Sequence, residues 1–189
     1  MPNSNGLFLL LTMLAIAITI ITASFSFLEP NLSYTQTLGN IKDLSTDATD
    51  AHDPQVFVSG SNVYAIWVDF VTGNDDIYFK RSTDGGASFG DTINLSSNQG
   101  NSTNPEFSVN SPSSVYTVWQ NQAGNNKTHD IFFKRSTDGG VSFGDTVDLS
   151  NDIGYSSDPD IASENNNSAY IVWTDNFMGR SKVFFRVIG

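Results

Sequence analysis

The chain has 189 residues, enough for one domain with a buried core, and carries a net charge of −11 with 14 Phe, 6 Tyr and 3 Trp. So acidic a chain, with nine Lys and Arg in all, excludes nucleic acid and anionic membrane surfaces as partners, because both require clustered cations. Cysteine is absent, which excludes a disulfide framework, a thiolate metal site and a Cys nucleophile.

The first predicted element is an apolar leader. Leu7 to Leu28 contains no charged residue, and the first cation of the chain is Lys42. The stretch from Leu7 to Ile21, followed by Thr22-Ala23-Ser24 or Ser24-Phe25-Ser26, fits a secretory core with a small-residue cleavage site. Counted through Leu28 it is 22 residues long, enough to cross a bilayer as a helix. Residues 1–28 are therefore expected to form a signal peptide or membrane anchor, and the protein to be extracytoplasmic, secreted or anchored. Residues 29–40 read as a linker and residues 41–189 as repeats.

Three gapless copies of a turn follow: Ser45 to Pro54, Ser96 to Pro105 and Ser150 to Pro159. Each carries Asp or Asn at its third and ninth positions: Asp47 and Asp53, Asn98 and Asn104, Asp152 and Asp158. Short polar side chains that bond their own backbone, then a Pro that fixes the exit, predict an Asx turn before a strand. The same oxygens would also suit calcium, while no other cofactor is expected.

After each Pro comes a short strand, then one ending in Trp: NVYAIWV at Trp67, SVYTVWQ at Trp119 and SAYIVWT at Trp173. Val63, Ala65 and Trp67 share one face, and Tyr64, Ile66 and Val68 the other. Both faces are apolar, so the sheet is expected to lie between two neighbours, with the three Trp in the blade core. A third strand follows in each copy (Asp75 to Arg81, His129 to Arg135, Ser181 to Val187), then a Gly-rich turn and a short outer strand. Ile77 to Thr92 recurs almost letter for letter as Ile131 to Thr146, 54 positions on. Four strands in about 50 residues, repeated, is the pattern of propeller blades, here about 41–92, 93–146 and 147–189.

Ser82-Thr83-Asp84-Gly85-Gly86-Ala87-Ser88-Phe89 and Ser136-Thr137-Asp138-Gly139-Gly140-Val141-Ser142-Phe143 resemble the Asp-box, or BNR repeat, of the sialidase-like β-propeller family. The resemblance covers Ile41 to the C-terminus. It implies an all-β fold of about three four-stranded blades, an incomplete ring after the N-terminal apolar helix. Ser82, Asp84, Gly86 and Phe89, with Ser136, Asp138, Gly140 and Phe143, are then structural: the carboxylate binds backbone N–H groups and the aromatic tucks back into the blade. In that family the box lies on the blade periphery, away from any ligand.

The third copy stops as its own box should begin, whereas Ile41 to Ser45 aligns with the outer strands at Ile93 to Ser96 and Val147 to Ser150. That strand is expected to complete the final blade, in its own chain or in a partner. Sialidases clamp a substrate carboxylate with three Arg, the first in an [FY]-R-I-P segment, and use a Tyr–Glu pair with an Asp. No such segment occurs here, and Arg81 and Arg135 are fixed by repeat register, so no catalytic residue is carried over. Of the three glutamates, Glu106 follows a blade Pro, equivalent to Gln55 and Asp160, and is expected near the inner strand. His52 and His129 share no register and read as solvated loop residues. The leading expectation is an exported, non-catalytic module that binds a glycan or surface protein at the cell envelope, with self-association as a route to ring closure. The alternatives are a sialidase-like glycoside hydrolase and a truncated fragment of a longer propeller protein.

Overall fold

The computed structural model describes residues 38–45, 50–122, 128–151, 154–164, 167–177 and 179–189. The leader at 1–28, Asp47 and Asp152 lie outside the described residues. Among those described, no helix is long and apolar enough to cross a membrane. Lys42–Gly189 forms one compact all-β unit.

Among the described residues, eleven strands make three antiparallel sheets, each with its strands in chain order. The first holds β1 (His52–Ser59), β2 (Asn62–Asp69), β3 (Asp76–Ser82) and β4 (Ile93–Asn94). The second holds β5 (Asn101–Ser111), β6 (Ser114–Gln122), β7 (His129–Ser136) and β8 (Val147–Asp148). The third holds β9 (Ser156–Ser163), β10 (Ala169–Phe177) and β11 (Arg180–Ile188) and has no fourth strand among the described residues. The three sheets are blades of a partial β-propeller, with β5 packed between the inner strands β1 and β9.

The two apolar faces of each Trp-bearing strand go where their pattern requires. Between the first two blades, Tyr64, Ile66, Val68, Ile77 and Phe79 meet Phe107, Val109, Val115 and Trp119. Between the second and third, Tyr116, Val118, Ile131 and Phe133 meet Ile161, Ala169, Ile171 and Trp173. Ser114 to Asn121 of β6 is buried throughout, as is Tyr64 to Asp69 of β2. On the other face of the first blade Trp67 stacks on Tyr78, with Ala65 and Leu44 beside it.

The outer strands are two residues long, shorter than the sequence suggests. After Ile93–Asn94 the backbone makes one more bond, from Leu95 N–H to Ile77 O at 2.7 Å, and the Ser96 hydroxyl then accepts the Ile77 N–H at 3.0 Å. Ser150 accepts from Ile131 at the same distance in the second blade. A side-chain acceptor thus satisfies a buried donor that a longer strand would have paired. The expected strand over Ile41 to Ser45 has no regular structure. No neighbouring strand offers it a ladder, and its described bonds run instead from Lys80 Nζ to Leu44 O at 2.9 Å and from Lys42 Nζ to Ala87 O.

Candidate functional site

The two Asp-boxes fold alike. Asp84 Oδ1 accepts from the Ser88 N–H (2.8 Å) and the Ser82 hydroxyl (2.7 Å), and Oδ2 from the Ser88 hydroxyl (2.6 Å). Asp138 repeats this with Ser142 N–H (2.9 Å), Ser136 Oγ (2.7 Å) and Ser142 Oγ (2.6 Å). The Ser82 and Ser136 hydroxyls accept in turn from the Gly86 and Gly140 N–H groups. Donation from the serines holds both carboxyls well below the usual carboxylate range. Both Asp side chains are exposed, so the box is a surface knot rather than a buried turn. Phe89 is half-buried; Phe143 meets Phe79 edge-on at 5.1 Å, bridging two blades instead of returning into its own.

The arginines before the boxes are blade connectors. Arg81 donates to Gly139 O of the next blade at 2.8 Å, and Arg135 donates to Asn167 while lying 5.2 Å over the Tyr116 ring. Neither belongs to a cluster that would clamp a carboxylate. The Trp119 indole is fully buried between blades, and Trp67 and Trp173 are almost so, which removes them as exposed sugar platforms. His129 is half-buried against Tyr155, ring centroids 4.3 Å apart, and burial pushes its pKa down; it is not the solvated loop residue expected. His52 is exposed, 3.2 Å from the Asp53 carboxylate.

The convergent polar groups lie elsewhere, where the three inner strands begin. His52 and Gln55 face Val68 and Ile66, Thr103 and Glu106 face Gln120 and Val118, and Ser157 and Asp160 face Thr174 and Val172. In each case one strand spends an extra residue: a β-bulge at the same repeat position. Its cause is legible in the residues. Pro54, Pro105 and Pro159 have no N–H to give a ladder, and the residue before each takes a left-handed backbone, φ 49° at Asp53, 51° at Asn104 and 52° at Asp158. Asp and Asn tolerate that region better than other side-chain-bearing residues.

The bulges turn these positions into a shared cavity of about 390 Å³, lined by Asp53, Gln55, Asn104, Glu106, Asp158 and the three prolines. Gln55 Nε2 donates to Glu106 Oε1 at 2.6 Å, tying the first blade to the second across the cavity. Burial raises the Glu106 carboxyl above its ordinary value; the Asp160 charge adds to this and the Gln55 bond opposes it. Asp158 accepts from the Ser157 and Thr174 hydroxyls at 3.0 and 3.3 Å. Among the described residues, no Lys or Arg lines the cavity.

Sequence reading had Asp53, Asn104 and Asp158 as turn residues and placed Glu106 near the inner strand, yet missed their convergence. The signal was the recurrence of Asp/Asn-Pro-Gln/Glu/Asp at Gln55, Glu106 and Asp160. Asn98, the other described member of the turn set, closes an Asx turn by accepting the Gly100 N–H at 2.7 Å. Among the described residues, no group of three or more His, Asp or Glu is placed to hold a metal ion.

No protein-family profile and no curated protein sequence matches this chain. Solved structures do resemble it. A Hadza microbial sialidase superposes with a TM-score of 0.55 at 13% identity, over 72% of this chain and 35% of that one. Trypanosoma rangeli sialidase with sialic acid gives 0.51 at 15% identity, and the same enzyme with 2,3-difluorosialic acid gives 0.52 at 13%. Both cover 72% of this chain and 28% of theirs, so the chain spans about a third of the length of the structures it resembles. At these identities the likeness is one of fold: the chain is built as sialidase-like propeller blades.

Proposed function

We propose that this chain is a non-catalytic propeller-blade module of the cell exterior that binds a neutral or amino-bearing glycan at the inner-strand cavity. The observation that carries this reading is the triplicate bulge, which sets Asp53, Gln55, Asn104, Glu106 and Asp158 around one cavity. Carboxylate and amide oxygens accept from sugar hydroxyls and from amino groups. The Asp53, Glu106 and Asp158 carboxyls in the lining oppose the carboxylate of a sialic acid. The sialidase likeness supports a glycan ligand by analogy of fold alone, and the leader supports export.

A second reading follows from Glu106. A carboxyl raised by burial, close enough to Asp160 for that charge to contribute, is the kind of pair glycoside hydrolases use as acid and base.

Calorimetric titration of the full chain with neutral, amino and sialylated oligosaccharides separates these cases. We expect binding of a neutral or amino sugar, lost in Asp158→Ala and weakened in Glu106→Gln, with no reducing sugar released. Release that disappears in Glu106→Gln establishes the hydrolase, and tight binding of the sialylated ligand alone overturns both. Fractionation of the native host should place the chain outside the cytoplasm; the intact chain in the soluble cytoplasm would overturn export.

A further inference from the structure

We infer that His129 is a positioning residue of the inner-strand cavity: through Gln120 it sets which way the Asn104 amide faces, and its protonation reverses that amide. Gln120 is buried between the two, 6% exposed. Its Nε2 donates to His129 Nδ1, and its Oε1 accepts from Asn104 Nδ2 at 3.4 Å. Asn104 in turn lines the cavity. An imidazole nitrogen accepts a hydrogen bond only while it carries no proton. Neutral His129 therefore holds Gln120 Nε2, Gln120 Oε1 holds Asn104 Nδ2, and Asn104 Oδ1 is left for the cavity. Once Nδ1 is protonated, two donors face each other, and the contact survives only if Gln120 turns Oε1 to the ring. Gln120 Nε2 then faces Asn104, which must turn Oδ1 toward it. The cavity receives an NH2 group where it had an oxygen.

The repeat equivalents explain why the middle blade holds this device. Thr174, the counterpart of Gln120, donates to Asp158 at 3.3 Å, and an ionised carboxylate can only accept. Val68 occupies the position in the first blade and has no polar group to offer, while Asp53 lies 3.2 Å from His52. Of the turn residues Asp53, Asn104 and Asp158, Asn104 is the amide whose polarity can reverse, and it is the one joined to a half-buried histidine.

The surroundings of His129 leave its charge to the proton alone. The ring lies on Tyr155, centroids 4.3 Å apart. From β6 it faces Gln120 and Gln122, and from β5 the relay ends at Asn104, all uncharged. Asp130, next in β7, points to the opposite face, where the Ser150 hydroxyl donates to it. Asp158 of β9 is engaged by Ser157 and Thr174. Burial lowers the His129 pKa below its ordinary 6.5, and no charged group among the described residues adds to the shift. The reversal thus falls on the acid side of neutrality.

The relay is tested without any ligand. In side-chain NMR of the full chain, the Gln120 and Asn104 amide signals should titrate with the midpoint of the His129 ring, below about pH 6.5. Gln120→Val, which copies the first blade at this position, should keep the His129 titration and uncouple Asn104 from it. An Asn104 amide that ignores His129 in the wild type, or that still follows it in Gln120→Val, overturns the inference.

The consequence for binding rests on the glycan reading, because a cavity with one oxygen fewer holds a hydroxyl-donating ligand less well. Affinity for the neutral oligosaccharides of the titration above should fall several-fold between about pH 7.5 and about pH 5, and His129→Asn should remove most of that fall. Asp53, Glu106, Asp158 and His52 all remain in His129→Asn. A fall that this variant keeps in full therefore belongs to them and overturns the role of His129. If no oligosaccharide binds at any pH, the glycan reading fails and the amide titration alone decides the relay.

Discussion

The ring of Phe79 lies so close to Gly140 of the next blade that a Cβ there would stand 2.7 Å from it. Gly140 also has a φ of 83°, so the position demands glycine twice over. Its repeat equivalent Gly86 has a φ of 86°, but a Cβ would meet only Val63, at 4.0 Å. Both Gly→Ala changes pay for left-handed backbone, of order 1–2 kcal/mol. Gly140→Ala adds an overpacking cost of about 1–3 kcal/mol. Chemical denaturation should rank Gly140→Ala clearly below Gly86→Ala, and equal losses would show that the blade contact does not bear on that turn.

The Asp-boxes predict an acid-labile contribution to stability. Asp84 and Asp138 have folded-state pKa values below the ordinary 3.8, so the unfolded chain takes up the proton first. Their stabilisation is complete above about pH 5 and is lost as pH falls through 4 and below. Melting temperatures of wild type and of the Asp84→Ala, Asp138→Ala double variant should differ most near neutral pH and converge in that acid window. A gap that stays constant down to pH 2 would mean that the carboxylate charge contributes nothing to the knot.

Trp119 separates packing from recognition. Its indole is fully buried, meets Phe132 edge-on at 6.1 Å, and its N–H has no hydrogen-bond partner among the described residues, so the side chain contributes packing alone. Trp119→Ala should cost roughly 3–5 kcal/mol, and Trp119→Phe a small part of that because no bond is lost. Denaturation midpoints check both. A Trp119→Ala chain of native stability that no longer binds glycan would return the Trp to the role of sugar platform.

What the sequence makes legible is what is local. The two-sided apolar pattern around Trp67, Trp119 and Trp173 needs only strand periodicity to predict a covered sheet, and the Ser-x-Asp-x-Gly turn needs only side chains within seven residues. The cavity is not local. Asp53, Asn104 and Asp158 come together because three sheets present the same bulge toward one another, and each in isolation is an ordinary turn residue. The outer strands are shorter than their sequence suggests for a related reason. Thr92 to Ser96 reads as a strand, but once the Leu95 N–H has bonded Ile77 O the Ser96 hydroxyl takes the Ile77 N–H and the ladder ends. Nothing in the five residues themselves says which acceptor wins.

The end blades leave Val56, Val58, Val183 and Phe185 exposed where the equivalent Phe107, Val109, Ile131 and Phe133 of the middle blade are buried, and that has a thermodynamic consequence. Stability here is the sum of three weakly autonomous units and two interfaces, as in a one-dimensional array, rather than the property of a single core. The loss of one interface releases an end blade while the other two remain paired. Opening therefore proceeds inward from β11 and from β1, and β6 is the last strand to surrender its amide protons. Sequence in β1 and β11 is accordingly cheap to change, and sequence around Tyr116 to Asn121 is dear.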